Sequence, residues 1–358
     1  MKINLPEIII DTHLHGRDMD QSNKTTVKQV LKEAKSGLIS ISAFMPNTDP
    51  SIKDVPVLQR YSWLTSSERK KLELPLQFIW FGATDSNGVE CDKAMSFSNV
   101  LGVKNYQLSK TGKTVTSGTI GVSDNRRIDE IIQGTTKKNK ANAHHCDNPY
   151  IIARDGNTIE AEVSCVEKII RSAKKFPECK IIICHVSCQK SAEIIMKARK
   201  DGVNIAIELA PHYLWFDSDK TNWNPGLDEV FYKCFNNLRG GEDREFLQNL
   251  LSNDNAFIII GSDSACHTTQ EKLEKKLGGI PSNQEMVAVI ATMAKKLKLS
   301  DQRVADLLSF NASKFLGIPV PKRIANFKLE ERIDDIQYND GVVTNPWNGT
   351  TLLFPKKI

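Results

Sequence analysis

The chain has 358 residues, 40% of them hydrophobic, with 48 Lys and Arg against 43 Asp and Glu for a formal charge of +5. That apolar content is ample for a core, and so mild and dispersed a charge leaves no footprint for nucleic acid. No apolar stretch approaches the ~20 residues that span a bilayer, and Met1 leads almost directly into the first core strand with no room for a signal peptide, so a cytoplasmic protein that binds no membrane is expected. The eight cysteines contain no Cys-x-x-Cys pair, which fits free thiols in a reducing compartment. No linker, composition shift or internal repeat divides the chain, and a single α/β domain over 1–358 is expected.

Eight apolar runs read as strands: Ile8 to Asp11, Gly37 to Met45, Leu76 to Ala83, Leu101 to Tyr106, Asn142 to His145, Lys180 to His185, Val203 to Leu209 and Phe257 to Ser262. Between them, apolar residues recur at helical spacing, as in Val163, Val166, Ile169, Ile170 and Ala173, then Ala192, Ile194, Ile195 and Ala198. Glu242 to Leu251 reads as the helix before the eighth strand, Asn283 to Leu297 as the one after it, and Asp301 to Phe310 as a further helix. Eight strands alternating with helices are what a (β/α)8 TIM barrel requires, and such barrels carry their catalytic groups at the C-terminal strand ends.

In Asp11-Thr-His-Leu-His-Gly-Arg17, side chains at i and i+2 lie on one face of a strand, so His13 and His15 point the same way and can share a metal ion. Two imidazoles leave such a site unfinished. The other strand ends supply candidates: Met45-Pro46-Asn47-Thr48 after the second, Lys104 on the fourth, His144-His145-Cys146-Asp147 on the fifth, and His185 on the sixth. Glu208 and His212 follow on the seventh and Asp263 and His267 on the eighth, while the third strand, ending near Ala83 to Asp85, offers nothing assignable. Cys184 and Cys188, which flank His185, read as small buried hydrophobes.

Together these motifs resemble the dihydroorotases, within the cyclic amidohydrolases of the amidohydrolase superfamily, from about Ile8 to Gly349. The resemblance rests on Asp-Thr-His-Leu-His-Gly-Arg at 11–17, Met-Pro-Asn-Thr at 45–48, Gly-Val-Lys-Asn-Tyr at 102–106 and His-Cys-Asp-Asn at 145–148. It continues in Ile-Cys-His-Val-Ser at 183–187, Glu-Leu-Ala-Pro-His-Tyr-Leu at 208–214, Asn-Asn-Leu-Arg at 236–239 and Asp-Ser-Ala-Cys-His at 263–267.

The resemblance implies two zinc ions about 3.5–4 Å apart. His13, His15 and Asp263 would hold the more buried one and His145 and His185 the more exposed one, with Lys104, carboxylated by CO2, bridging them. His144 and His145 are adjacent and only one can face inward; His145 is chosen because His-Cys-Asp-Asn parallels the family's His-x-Glu-Asn, with Asp147 in place of the Glu. The implied reaction is reversible hydrolysis of the ring amide of dihydroorotate to N-carbamoyl-L-aspartate in pyrimidine biosynthesis, with Asp263 moving the proton. Arg17, Asn47 and His267 would bind the substrate carboxylate and Asn236 the ring, and a homodimer is expected.

The chain departs from the family in the shortened Asn-Asn-Leu-Arg stretch and in Cys266, where the shorter class has Pro. Longer members carry a β-sandwich built from both termini. Here the N-terminal half of it is missing, so the expectation is a barrel over about 7–318 with a reduced C-terminal extension, 319–358, packed on it and no full β-sandwich subdomain. Ser109 to Asp124 reads either as a loop that closes over substrate or as an ordinary surface loop. Two alternatives stand beside the main reading. A dihydropyrimidinase, hydantoinase or allantoinase would leave Arg17, Asn47 and His267 without a carboxylate partner, and a catalytically silent homologue would be expected to have lost ligands that this chain keeps.

Overall fold

A computed structural model describes residues 1–108 and 120–357, so most of the Ser109 to Asp124 loop, residues 109–119, lies outside the described residues. After β1 (Lys2–Pro6) come eight strands that pair in parallel and in chain order: β2 (Ile10–Leu14), β3 (Ile41–Phe44), β4 (Phe78–Gly82), β5 (Val100–Tyr106), β6 (Ala141–His145), β7 (Lys180–Ile183), β8 (Ile205–Leu209) and β9 (Ile258–Ile260). The last strand meets the first through Asp263 N–H to His13 O (2.8 Å) and His15 N–H to Ser264 O (3.1 Å). All eight expected strands form, with most ends within four residues of expectation; β5 and β6 each begin one residue earlier, and β2 runs on to Leu14 and takes His13 into the sheet.

Side chains alternate between two layers. Ile10, Ile41, Trp80, Ala143, Ile182, Cys184, Ala206 and Ile259 pack together as a plug inside the barrel, while Ile79, Val103, Ile181, Ile183 and Ile207 face the helices. The plug makes the barrel a packed core, so the polar strand ends above it share one dry floor. Outside, Ile159–Ala173 and Gln189–Lys200 bury the apolar faces that their spacing predicts. The helix expected from Asn283 begins at Met286 instead, because Ser282 and Asn283 are occupied at the end of the last strand: Ser264 Oγ accepts from Ser282 N (3.1 Å) and donates to Asn283 Oδ1 (3.3 Å). The segment expected as one helix over 301–310 is helical over Asp301–Ala305 and then widens to a π-type turn through Phe310. Among the described residues no helix is long and apolar enough to cross a membrane.

The amino terminus differs from expectation. β1 does not lead into the barrel; it joins β10 (Ile324–Ile333) and β11 (Thr351–Lys357) in a separate antiparallel sheet of order β1-β10-β11, with Ile3 opposite Phe327. Ile3 and Leu5 are buried while Lys2 is exposed, a two-residue period that marks a strand with one wet face. Both termini therefore contribute to this sheet. The tail also grips the loop before helix Met286–Leu297: Trp347 Nε1 donates to Pro281 O (2.8 Å), Gln284 N to Tyr338 Oη (3.0 Å) and Asn345 Nδ2 to Glu285 Oε1 (3.0 Å).

A second tie runs from the tail to helix Val27–Ser36, where Glu33 Oε1 accepts from Asn339 N (3.0 Å). Burial pushes the Glu33 carboxyl from its ordinary value of 4.5 up to about 7. The folded chain thus holds that proton more tightly than the unfolded chain. Its contribution to stability is full below about pH 4.5 and is lost as pH rises through about 7. Glu33→Gln keeps the Oε1 acceptor and removes the charge. In thermal unfolding it is expected to stabilise the protein by about 1–2 kcal/mol near pH 8 and by nothing near pH 4.

Candidate active site

A cavity of about 260 Å³ opens at the C-terminal end of the barrel, with His13, His15, His145, His185 and Asp263 at its floor and Arg17, Asn47 and His267 on one wall. His13 Nε2 and His15 Nε2 each lie 3.2 Å from Asp263 Oδ1, and the donor atoms of these three residues fall within 4.8 Å of one another. Burial lowers both imidazoles, His15 to about 4 and His13 well below its usual range, so both are neutral near pH 7. For Asp263 burial acts upward, but His13, His15 and His212 outweigh it and hold the carboxyl below the usual carboxylate range. Two neutral imidazoles around a carboxylate, all buried, form a donor set suited to a divalent cation.

A second pair adjoins the first, the His13 and His185 rings being 5.3 Å apart. His145 Nδ1 lies 3.0 Å from His185 Nε2, and His145 Nε2 lies 3.0 Å from Asp147 Oδ2. A carboxylate only accepts, so Asp147 draws the imidazole proton to Nε2 and leaves the Nδ1 lone pair facing the cavity. Asn157 Nδ2 fixes Asp147 in turn at 2.8 and 2.9 Å. Alternation along β6 decides which of the adjacent histidines takes part. Ala141 and Ala143 belong to the interior plug and Asn142 bonds Thr135 on the flanking helix, so His145 faces inward and His144 outward. His144 is buried, has no ring partner among the described residues, and is pushed by burial down to about 3.

Lys104 is fully buried and donates from Nζ to Cys184 Sγ at 2.9 Å. Burial lowers its pKa, yet Cys184, Tyr106 and Glu208 outweigh that and raise it. Two residues of the floor, His185 at φ 38° and Asp263 at φ 46°, take the left-handed backbone that L side chains seldom adopt. Such conformations cost about 1–3 kcal/mol each and gather where a side chain must be aimed. Gly261 makes room for His13 and Glu208, since a Cβ there would lie 2.6 Å from His13 Cβ and 3.1 Å from Glu208 Cδ.

On the wall, Arg17 donates from Nη1 to Asn47 O (2.9 Å), and its Nη2 lies 3.5 Å from His267 Nε2. Asn47 Oδ1 accepts from Tyr106 Oη at 2.5 Å, which leaves its amide hydrogens free to donate. Arg17 is buried, its Nε has no partner, and among the described residues no carboxylate pairs with it. Asp18, the acid beside it in sequence, instead accepts from Met19 N and Val27 N. Asn236 is not among the residues lining the cavity, although the neighbouring Cys234 and Phe235 are, and both its side-chain amide atoms are buried with no partner among the described residues.

Other contacts emerge only from the structure. Asp11 Oδ1 accepts from His13 N (3.0 Å) and Ser262 N (2.8 Å), tying the first strand to the last, and Glu208 bonds His13. Both stand inside motifs that are plain in sequence, but their partners lie far along the chain. Asn157 sits alone in a loop that carries no signal.

No family model matches the sequence. Curated relatives do. The dihydroorotase of Methanosphaera stadtmanae is 26% identical over 336 residues, covering 87% of this chain and 71% of the relative, and that of Thermococcus kodakarensis is 26% identical over 371 residues, covering 96% and 78%. Among solved structures, dihydroorotase from Saccharomyces cerevisiae in complex with 5-fluoroorotic acid superposes with a TM-score of 0.83 at 19% identity, over 100% of this chain and 99% of the other. L-hydantoinase (dihydropyrimidinase) from Arthrobacter aurescens gives 0.85 at 20%, over 98% and 82%. At these identities the solved structures speak for the barrel alone, whereas the sequence matches run through nearly the whole chain. The chain is therefore similar to curated dihydroorotases along most of its length, and its barrel is the one seen in the solved dihydroorotase and hydantoinase.

Proposed function

We propose that the chain is a metal-dependent dihydroorotase that interconverts (S)-dihydroorotate and N-carbamoyl-L-aspartate. It would act as a single-domain, homodimeric enzyme of pyrimidine biosynthesis in the cytoplasm. One observation carries the choice of substrate: the guanidinium of Arg17, with no carboxylate partner among the described residues, opens into the same cavity as the histidine and aspartate cluster. A buried cation lacking an acidic partner calls for an anion in the ligand, and the planar fork of Arg suits a carboxylate.

His13, His15 and Asp263 would hold one zinc ion and His145 and His185 a second, with Lys104, as its carbamate, contributing to both. Bound there, zinc supplies Lewis acidity, lowering the pKa of water from about 15.7 to about 7 and polarising a carbonyl. Arg17, the free amide of Asn47 and His267 fix the substrate carboxylate, which turns the ring amide toward the floor. Asp263, ionised among its imidazoles, takes the proton of the attacking water and returns it to the leaving ring nitrogen. In the reverse direction it removes the proton from the ureido nitrogen as the ring closes. Asn236, next to Phe235 and with its side-chain amide unpartnered among the described residues, would contact the ring.

The test is a substrate panel on zinc-loaded protein. Dihydroorotate is expected to be hydrolysed with kcat/KM at least about 100-fold above hydantoin and dihydrouracil. Arg17→Lys is expected to lower the dihydroorotate value by about 100-fold, the loss typical of breaking a buried charged hydrogen bond. Preference for the neutral rings would assign a dihydropyrimidinase or hydantoinase instead, and absence of turnover on every ring would indicate a silent homologue.

Metal analysis tests the floor separately. His145→Asn is expected to leave the protein with about one zinc equivalent where the parent binds two, while His144→Asn leaves both. The opposite result would exchange the two histidines.

A further inference from the structure

We propose that Glu208 is a positioning residue that aims one histidine from each half of the metal centre; this rests on the metal-dependent reading above. Its carboxylate is buried on β8. Oε1 lies 2.6 Å from His13 Nδ1 and accepts from the His185 backbone N–H at 3.3 Å, and Oε2 accepts from Thr12 Oγ1 at 3.0 Å. A single oxygen therefore addresses both histidines.

At His13 the consequence is a tautomer. A carboxylate beside Nδ1 keeps the proton there, and the lone pair falls on Nε2, the atom that faces Asp263 Oδ1 at 3.2 Å. Carboxylate, imidazole and cation in line also raise the basicity of the ligand and fix the ring plane. At His185 the consequence is a backbone. Its left-handed φ of 38° is unfavourable for a side chain with a Cβ, and the hydrogen bond from its amide to Glu208 holds the turn that points Nε2 at His145. The missing side chain of Gly261, whose Cβ would stand 3.1 Å from Glu208 Cδ, admits the carboxylate to this position.

His13, Cys184 and Glu208 are themselves close enough to surround an ion. The conservative variant separates that arrangement from a positioning role. In Glu208→Gln the amide oxygen can take both bonds now made by Oε1, while the amide nitrogen faces Thr12 Oγ1, whose hydroxyl turns to Ile260 O at 3.1 Å. Orientation survives and only the charge is lost.

Zinc titration of metal-stripped protein against a chromophoric chelator, with the visible spectrum of the cobalt-loaded form and circular dichroism of the stripped form, tests this without any substrate. Glu208→Leu is expected to weaken zinc binding by about 10–100-fold and to alter the cobalt spectrum while the stripped fold is unchanged; Glu208→Gln is expected to recover most of the affinity. Wild-type affinity in Glu208→Leu, or a Gln variant as weak as the Leu variant, overturns the proposal. If Glu208→Leu does not fold, proton NMR of the zinc-loaded parent decides. The His13 Nδ1 proton is expected far downfield and shifted in Glu208→Gln, and an unshifted resonance overturns the proposal. Parent protein that takes up no zinc would defeat the functional reading as well, whereas equal uptake by parent and Leu variant defeats only the role of Glu208.

Discussion

The contact on which the site depends is the one between Asp263 and the histidines of the first strand. Its Oδ1 reaches His13 Nε2 and His15 Nε2 only because β9 closes against β2, bringing the acid to an imidazole 248 positions away in sequence. Closure itself is secured beside the site: Asp263 N–H binds His13 O, and Asp11 takes both the amide and the hydroxyl of Ser262. The bonds that close the barrel and those that assemble the donors are thus largely the same. Below them the apolar plug excludes water, which keeps the imidazoles neutral and makes an ionised Asp263 depend on its neighbours.

The cavity is polarised. Its floor holds neutral imidazoles around a carboxylate, and its wall holds a guanidinium with an open face. A ligand that satisfies both ends carries an anionic group on one side and a polarisable amide on the other, as dihydroorotate does. The wall is also organised from outside. Gly279 packs so close to Ala265 and His267 that a Cβ would lie 2.4 Å from Ala265 O, and the loop carrying it is gripped by Tyr338, Asn345 and Trp347 of the tail. The three-stranded terminal sheet and its strap therefore bear on the shape of the pocket although they contribute no floor residue.

Much of this was legible in the sequence, for identifiable reasons. Strands buried on both faces read as apolar runs, and a two-residue period puts His13 and His15 on one side. Lys104, His145, His185 and Asp263 are legible as candidates because each sits on or just past such a run. What stayed hidden are contacts between elements. Glu208 stood in a motif, but its bond to His13 spans 195 positions, and no local pattern encodes it. Asn157, which steadies Asp147, is a single loop residue. The strand at Lys2–Pro6 is not legible, because four alternating residues give little periodicity until β10 is seen beside them. Asn236 stands in a motif in the expected order but is not among the residues that line the cavity, since motif order fixes the loop and not the direction of a side chain.

Anomalous diffraction at the zinc edge from crystals of the zinc-loaded protein tests the central claim most directly. Two peaks are predicted on the cavity floor, one in contact with His13, His15 and Asp263 and the other with His145 and His185. An empty floor, or zinc bound only elsewhere on the molecule, would contradict the account.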